Sequence, residues 1–254
     1  YRSGREYGLG PDALFGFECD NEALMGNADI EGIETVGQDA EIDLEELAEL
    51  RPDAIIGNGN ADCWSWFDDD VNAQLTRVAP FVPLPSEGSI DEKIADTREI
   101  ADFFGADIEA ENIVAADKDY EAAKEAFSQA VKGKDYNFLL ASPTKEMLYT
   151  GVGFAQADLL EELGANIVGP DAPAEGNPWG QVAWEDASTY PADVILVENF
   201  DPEAPFAAEL WDDLPAVKAD QLSTWSSKGA LTSRTYADWL QDLADKVETY
   251  DKVA

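Results

Sequence analysis

The chain of 254 residues contains no histidine, and this absence narrows its chemistry more than any other feature of its composition. Ser-His-Asp triads, histidine-ligated zinc and the commonest general base are all excluded. The two cysteines, Cys19 and Cys63, form no CxxC motif, so a structural zinc site lacks ligands. A glycosidase-like carboxylate pair stays open, but no pair stands out among 54 acidic residues. The sequence therefore favours a binding protein over an enzyme.

Aromatic side chains are the stronger signal. The stretch "NPWGQVAWED" places Trp179 in a loop and Trp184 five positions later, in what reads as the start of a short helix. An apolar strand pattern follows at residues 192–198. Two tryptophans at this spacing suit either a binding loop or a small satellite core, and both alternatives are open at this stage.

Further aromatic and cationic side chains follow the ends of predicted strands. They are Trp64, Trp66, Lys145, Tyr149, Trp225 and Arg234. Lysine and arginine together number only 16, so the cations among these residues are candidates for an anionic or metal-bound ligand. A structural role in the core or on the surface is the alternative for each of them.

The net charge of the chain is -38. Such a surface repels nucleic acid and anionic lipid at long range, which makes both poor partners. It suits either a solvated acidic shell at high salt or a specific cationic partner. No apolar run of about 18 residues, the length needed to span a membrane, occurs in the sequence.

Strands and helices alternate along the first part of the chain. The pattern predicts strands at 13–18, 51–57 and 81–84, and an amphipathic helix at 43–50 with Asp43 as its N-cap. This alternation is typical of a parallel sheet with covering helices. The acidic run at 67–70 reads as the first turn of a helix, with calcium binding as the alternative.

The middle of the chain, from Ser89 to Lys132, contains no strand pattern. Two helices are predicted there, the first capped by Ser89 and the second ending at Gly133. Alternation then resumes, with strands at 136–141, 166–169 and 192–198 and helices at 153–165 and 235–250. We therefore expect an α/β fold with two lobes, 1–88 and 134–254, joined by a helical connection at 89–133.

Four motifs carry a resemblance that covers the chain from about Leu9 to Leu243. The motifs "DLEELAELRPDAIIG", "GFAQADLLEELGANIVG", "NPWGQVAWEDAS" and "PADVILVE" together resemble the helical-backbone class (class III) of ABC-transporter substrate-binding proteins. That class includes receptors for ferric siderophores, haem and vitamin B12. Its members begin with a strand that this sequence lacks before Tyr1. We therefore expect a native N-terminal segment, with an export signal and lipid anchor, to precede Tyr1.

The resemblance implies two α/β sandwich lobes with the ligand cleft between them, at the carboxyl ends of the strands. It places Trp179 in the cleft wall, and the other ligand-binding candidates are Trp64, Trp66, Lys145, Tyr149, Trp225 and Arg234. Trp184, next to a docking glutamate, is expected to face solvent or a partner. A disulfide between Cys19 and Cys63 at the cleft rim is expected, with two unpaired thiols as the alternative.

One glutamate per lobe, Glu45 and Glu185, matches the family positions that pair with arginines of the transporter's membrane subunits. We therefore expect an extracytoplasmic, lipid-anchored, monomeric receptor that captures a ferric siderophore or similar metal chelate and delivers it to an ABC importer. No protein-bound cofactor is needed because the metal arrives chelated. A vitamin B12 receptor, a haem receptor using Tyr149 or Tyr190, and a ligand-free scaffold subunit of an envelope complex are the alternatives.

Overall fold

The computed structural model describes residues 2–15, 33–38, 41–60, 63–64, 67–84, 87–171, 177–198 and 208–254. The chain divides into two compact units. Unit 1 consists of Tyr1–Ala110 with Ala230–Thr232, and unit 2 of Glu111–Gly229 with Ser233–Ala254. Within the described residues, no helix combines the length and the apolar character needed to cross a membrane.

Unit 1 contains short strands and four helices among its described residues. Its elements are α1 (Arg2–Glu6), β1 (Ala13–Leu14), β2 (Glu34–Thr35), β3 (Gly37–Gln38), β4 (Glu41–Ile42), α2 (Leu44–Leu50), β5 (Ile55–Asn60), β6 (Cys63–Trp64), α3 (Asp69–Val78), β7 (Phe81–Leu84) and α4 (Ile90–Phe103). Strand β5 pairs with β7 in parallel and with β6 in antiparallel orientation. Val36, Leu47, Ile55, Leu75 and Ala79 form the core beneath these elements.

The helix starts of unit 1 follow from local sequence. Asp43 caps α2 by accepting hydrogen bonds from the backbone N–H groups of Glu45 and Glu46, as predicted. Ser89 caps α4 in a capping box with Glu92, whose carboxylate accepts from the Ser89 backbone N–H. Asp68 caps α3, so the acidic run at 67–70 is the start of a helix, as the sequence pattern favoured.

Unit 2 is built around one mixed sheet. Its elements are α5 (Glu111–Val131), β8 (Asn137–Pro143), β9 (Leu148–Thr150), α6 (Ala155–Glu162), β10 (Asn166–Ile167), β11 (Gly180–Val182), a 3₁₀ helix (Trp184–Thr189), β12 (Val194–Glu198), α7 (Ala208–Asp212), α8 (Pro215–Lys218), β13 (Leu222–Trp225) and α9 (Ser233–Thr249). The strand order is β11-β9-β8-β12-β13, and β10 pairs with the start of β8.

Strands β8, β10, β12 and β13 are parallel, whereas β9 and β11 extend the sheet in antiparallel orientation. All five residues of β12 are buried, which explains its near-continuous apolar sequence. The predicted apolar stripe of the last helix is confirmed. Tyr236, Leu240, Leu243 and Val247 of α9 are all buried.

Asp193, immediately before β12, holds the last residues of the chain against the amino-terminal side of the sheet. Its fully buried carboxylate accepts hydrogen bonds from the backbone N–H groups of Asn137, Val253 and Ala254. The ammonium group of Lys252 lies 3.2 Å from the same carboxylate. A buried charge with this many donors is well compensated, so the carboxylate fixes the chain end in place.

Candidate ligand-binding site

Four aromatic side chains of unit 2 are in contact, and we call Tyr149, Phe154, Trp179 and Trp225 the aromatic cluster. The ring of Phe154 lies 4.7 Å from that of Trp179 and 5.3 Å from that of Trp225, centroid to centroid. Trp179 lies 5.7 Å from Trp225 and 6.3 Å from Tyr149. These separations are typical of edge-to-face and tilted aromatic packing, so the cluster behaves as one apolar surface.

Different elements supply each member of the cluster. Trp225 is the last residue of β13, and its indole Nε1–H donates to the backbone carbonyl of Ala141 at 3.2 Å. Trp179 immediately precedes β11, and Phe154 is the residue before the first turn of α6. Tyr149 lies in β9. The cluster is therefore fixed by the sheet, with Trp225 buried beneath the half-buried ring of Trp179.

Two glycines make room for this packing. A Cβ atom on Gly151 would lie 2.5 Å from Cη2 of Trp225, closer than side chains tolerate. A Cβ atom on Gly153 would lie 2.7 Å from the Cα atom of Pro178. The backbone N–H of Gly153 also donates to the Pro178 carbonyl at 3.0 Å. The segments around Gly153 and Trp179 are thereby held against each other, which sets the position of the Trp179 ring.

Arg234, a predicted ligand residue, is engaged in ion pairs within unit 2. Its guanidinium lies 2.8 Å from Oδ2 of Asp119 on α5 and 3.5 Å from Oδ1 of Asp238 on its own helix. The hydrogen bond to Asp119 raises the pKa of Arg234 above its ordinary value. The structure gives Arg234 a role in joining α5 to α9, and ligand contact by this residue stays a prediction.

Lys145 is exposed on the turn that joins β8 to β9. The hydroxyl of Thr144 donates to the Met147 carbonyl at 2.8 Å and closes this turn. The Thr144 carbonyl in turn accepts from the indole Nε1–H of Trp184 at 3.0 Å. Lys145 is thus presented to solvent from a well-anchored turn.

The expectation that Trp184 faces solvent or a partner is wrong. Trp184 is 5% exposed and belongs to the core cluster of unit 2 with Leu139, Val182 and Ile195. Residues 180–182 form a strand rather than the start of a helix, and the 3₁₀ helix begins at Trp184 itself. Pairing of β11 with β9 turns this short helix so that Trp184 enters the core.

Glu198 was not among the predicted site residues, although it ends β12 at the same sheet edge. It pairs with Trp225 in the parallel register, and residues paired this way point to the same side of a sheet. Glu198 is 8% exposed, and its carboxylate accepts hydrogen bonds from the backbone N–H and hydroxyl of Ser227 through Oε1. The sequence feature that could have identified Glu198 is an acidic residue at the end of an otherwise apolar strand.

Unit 1 contains its own aromatic group around Trp64. The Trp64 ring packs on Phe15, Phe67 and Phe81 at centroid distances of 5.4, 5.5 and 5.9 Å. It covers Gly57, where a Cβ atom would lie 2.6 Å from the indole. Trp64 is half-buried and contributes to the core of unit 1, so its contact with a ligand stays a prediction.

Three predicted residues fall partly or wholly outside the described residues. They are Trp66, Cys19 and the side chain of Cys63. The expected disulfide therefore stays a prediction. The two predicted docking glutamates are both exposed, Glu45 in the first turn of α2 and Glu185 in the first turn of the 3₁₀ helix.

Comparison with known protein families gives a match over most of the chain. The periplasmic binding protein family matches residues 20–228. No curated protein sequence matches the chain.

Three solved structures illustrate the shared fold. DesE, a ferric-siderophore receptor protein from Streptomyces coelicolor, is 23% identical with a TM-score of 0.88, over 100% of this chain and 91% of that one. The siderophore periplasmic binding protein from the fuscachelin gene cluster of Thermobifida fusca is 26% identical with a TM-score of 0.68, over 96% and 91%. FhuD from Vibrio cholerae, with bound Fe3+-Desferal, is 19% identical with a TM-score of 0.73, over 98% and 94%.

Proposed function

Because the chain belongs to the periplasmic binding protein family, we propose that it captures a ferric siderophore, or a similar metal chelate, and delivers it to an ABC importer. The family resemblance and the α/β fold predicted from the sequence motifs are both confirmed. The family consists of extracytoplasmic binding proteins, so the chain is a binding protein rather than an enzyme.

The observation that carries the proposal is the position of the aromatic cluster. Strands β8, β12 and β13 run in parallel and end at Pro143, Glu198 and Trp225, so the cluster lies at the carboxyl edge of the sheet. Open α/β sheets bind their ligands at this edge. A rigid aromatic surface provides large contact area at low entropic cost, which suits the organic shell of a chelate.

A chelated ligand also fits the donor groups of the chain. Among the described residues, no group of three or more cysteine, aspartate or glutamate side chains is placed to hold a metal ion. The sequence has no histidine to complete such a group. A siderophore brings its own oxygen donors, so the protein needs to recognise only the outside of the complex.

The structural neighbours favour a siderophore over vitamin B12 or haem. DesE is described as a ferric-siderophore receptor, and FhuD from Vibrio cholerae was solved with Fe3+-Desferal. For transport, Glu45 and Glu185 would pair with arginines on the membrane subunits of the importer. We also propose a lipid anchor at the outer face of the cytoplasmic membrane and a monomeric state.

Tryptophan fluorescence titration of the purified protein tests the proposal. Ferric hydroxamate, ferric catecholate, haem and cobalamin are added in turn, and submicromolar quenching by a ferric siderophore alone is expected. The variant Trp179→Phe should lose much of this quenching. Trp239→Phe is the matched control, because Trp239 packs on Tyr236 of α9 and lies outside the aromatic cluster. No response to any ligand from a folded protein would favour the ligand-free scaffold instead.

A further inference from the structure

We propose that the site selects a ferric chelate without net negative charge, with hydroxamate as the iron-binding group, over trianionic catecholate chelates. This inference rests on the proposed function and adds the ligand's charge class. Each hydroxamate carries one negative charge, so three of them neutralise Fe³⁺, and a pendant amine makes the complex cationic. Each catecholate carries two, so three of them leave a trianion around the same metal.

Half of the ten lysine and arginine residues of unit 2 form ion pairs with carboxylates. Five of them form ion pairs within 4.0 Å, namely Lys124, Lys218, Arg234, Lys246 and Lys252. To bind an anionic ligand through Arg234, the protein would have to give up the contacts to Asp119 and Asp238. Ion pairs of this kind hold Arg234 against α5 and oppose its recruitment to a ligand.

Two lysines lie close in sequence to the aromatic cluster, Lys228 three residues after Trp225 and Lys145 four residues before Tyr149. Both are exposed, and the exposed acid Glu146 follows Lys145 directly. Solvated ammonium groups offer little to a trianion, because water and salt screen their charge. These two lysines are therefore weak counter-charges for a trianionic ligand.

The edge that carries the cluster also carries a buried acid. Glu198 lies beside Trp225 in the parallel register, and its hydrogen bonds come from Ser227, a neutral residue. Removing water from a carboxylate strengthens its repulsion of another anion and its attraction for an ammonium group. The faces of aromatic rings likewise attract cations. The described wall thus favours neutral and cationic ligands.

The net charge of the whole chain also disfavours anionic ligands, and it does so at long range. With a net charge of -38, it slows the approach of any trianion and speeds the approach of a cation. Because the Debye length falls from about 30 Å at 0.01 M salt to about 3 Å at 1 M, high salt removes this long-range repulsion. Salt screens the short-range repulsion from the buried Glu198 carboxylate at the sheet edge much less.

The test compares ferric complexes that differ in charge. The probes are ferric Desferal, which has a free amine, the same compound acetylated on that amine, and ferric enterobactin, a tris-catecholate. Affinities and association rates are measured at low salt and at high salt. We expect both hydroxamates to bind and the catecholate to bind at least about tenfold more weakly, because like-charge contacts are costly. High salt should speed catecholate association most.

Each result separates the two proposals. If none of the three complexes binds to a folded protein, the proposed function fails. If ferric enterobactin binds as tightly as the hydroxamates at both salt concentrations, the charge selectivity is wrong and the receptor function stands.

The variant Glu198→Gln keeps the acceptor for Ser227 and removes the charge at the sheet edge. In the parent protein we expect the free amine to bind more tightly than the acetylated form, because the Glu198 carboxylate attracts its ammonium group, and Glu198→Gln should reduce this preference. Glu162→Gln is the matched control, since Glu162 is an exposed acid at the far end of α6. An unchanged amine preference in Glu198→Gln would show that Glu198 takes no part in the selection.

Discussion

The indole ring of Trp179 lies 5.7 Å from that of Trp225, with 57° between the two planes, but the two side chains differ in depth. Trp225 is 4% exposed and donates its Nε1–H to the Ala141 carbonyl, whereas Trp179 is half-buried. Trp225 therefore supports the cluster from within the fold, and Trp179 presents part of its ring to solvent. Substitution of Trp179 should therefore affect ligand binding, and substitution of Trp225 should affect stability.

Replacing Trp179 with alanine should weaken ligand binding and leave the fold intact. We expect a loss of roughly 1–3 kcal/mol in binding free energy, typical of an aromatic anchor at the centre of a binding surface. Isothermal titration with the chelate identified by fluorescence measures this loss, and a urea titration measures stability. Unchanged affinity in a folded variant would remove Trp179 from the site.

Replacing Trp225 with alanine should instead destabilise the protein. Loss of a buried tryptophan costs about 3–5 kcal/mol of unfolding free energy, because a cavity remains where the ring was packed. Urea denaturation measures this change. The variant Trp225→Phe keeps one ring and loses the rest of the indole with its hydrogen bond to Ala141, so a smaller loss is expected. An alanine variant as stable as the parent chain would contradict the supporting role of Trp225.

Gly151 should not tolerate a methyl group. Its Cβ atom would come within 2.5 Å of the Trp225 ring, so Gly151→Ala must displace that ring and, through it, Trp179. We expect weaker ligand binding and a lower Tm. Gly229→Ala is the control in the same unit, because its nearest neighbour would be 3.8 Å away. Equal behaviour of the two variants would show that the close packing at Gly151 has no consequence.

Stability should depend on pH through Asp193. Burial of this carboxylate acts to raise its pKa, but hydrogen bonds from three backbone N–H groups and from Lys252 outweigh burial and lower the pKa below the ordinary value of 3.8. A group with a lowered folded-state pKa stabilises the fold above its ordinary pKa, and this contribution is lost as the pH falls through the folded-state value.

We therefore expect Asp193→Asn to lose about 1–3 kcal/mol of stability near neutral pH, with the difference from the parent chain shrinking as the pH drops below 3.8. Denaturant titrations at a series of pH values measure the difference. If the difference in unfolding free energy between the two proteins grew on acidification, the lowered pKa of Asp193 would be contradicted.

Replacing Glu45 and Glu185 together with glutamine should impair transport and leave chelate affinity unchanged. Both are exposed, and neither belongs to the aromatic cluster. Uptake into proteoliposomes that contain the cognate importer is the measurement. The control is the pair Glu49→Gln and Glu209→Gln, which removes the same charge from two other exposed positions. Loss of chelate affinity in the first double variant would mean that these glutamates do not form the docking surface.

Local sequence predicted the elements of the fold well. Asp43 and Ser89 cap the helices that the sequence placed after them, since a cap needs only donors from the next turn. The stripe from Tyr236 to Val247 is buried because helical periodicity alone sets which side of α9 is apolar. The strand at the end of the "PADVILVE" motif is also confirmed.

Contacts between segments far apart in the chain could not be predicted from the sequence. Trp184 is buried because β11 pairs with β9, 30 residues earlier in the chain, and nothing near Trp184 encodes that pairing. Arg234 meets Asp119 across a separation of 115 residues, so its sequence context could not reveal the ion pair. Phe154 joins the aromatic cluster for the same reason. Each of these depends on packing rather than on local pattern.

The closeness of Trp179 and Trp225 also gives the protein an optical signature of its own. Aromatic rings held in fixed packing produce circular dichroism in the near ultraviolet, and Trp179 and Trp225 are held 5.7 Å apart with 57° between their planes. A change in the packing of the Trp179 ring would alter this spectrum even where the emission intensity stayed constant. The unlabelled protein thus reports the geometry of its own aromatic cluster.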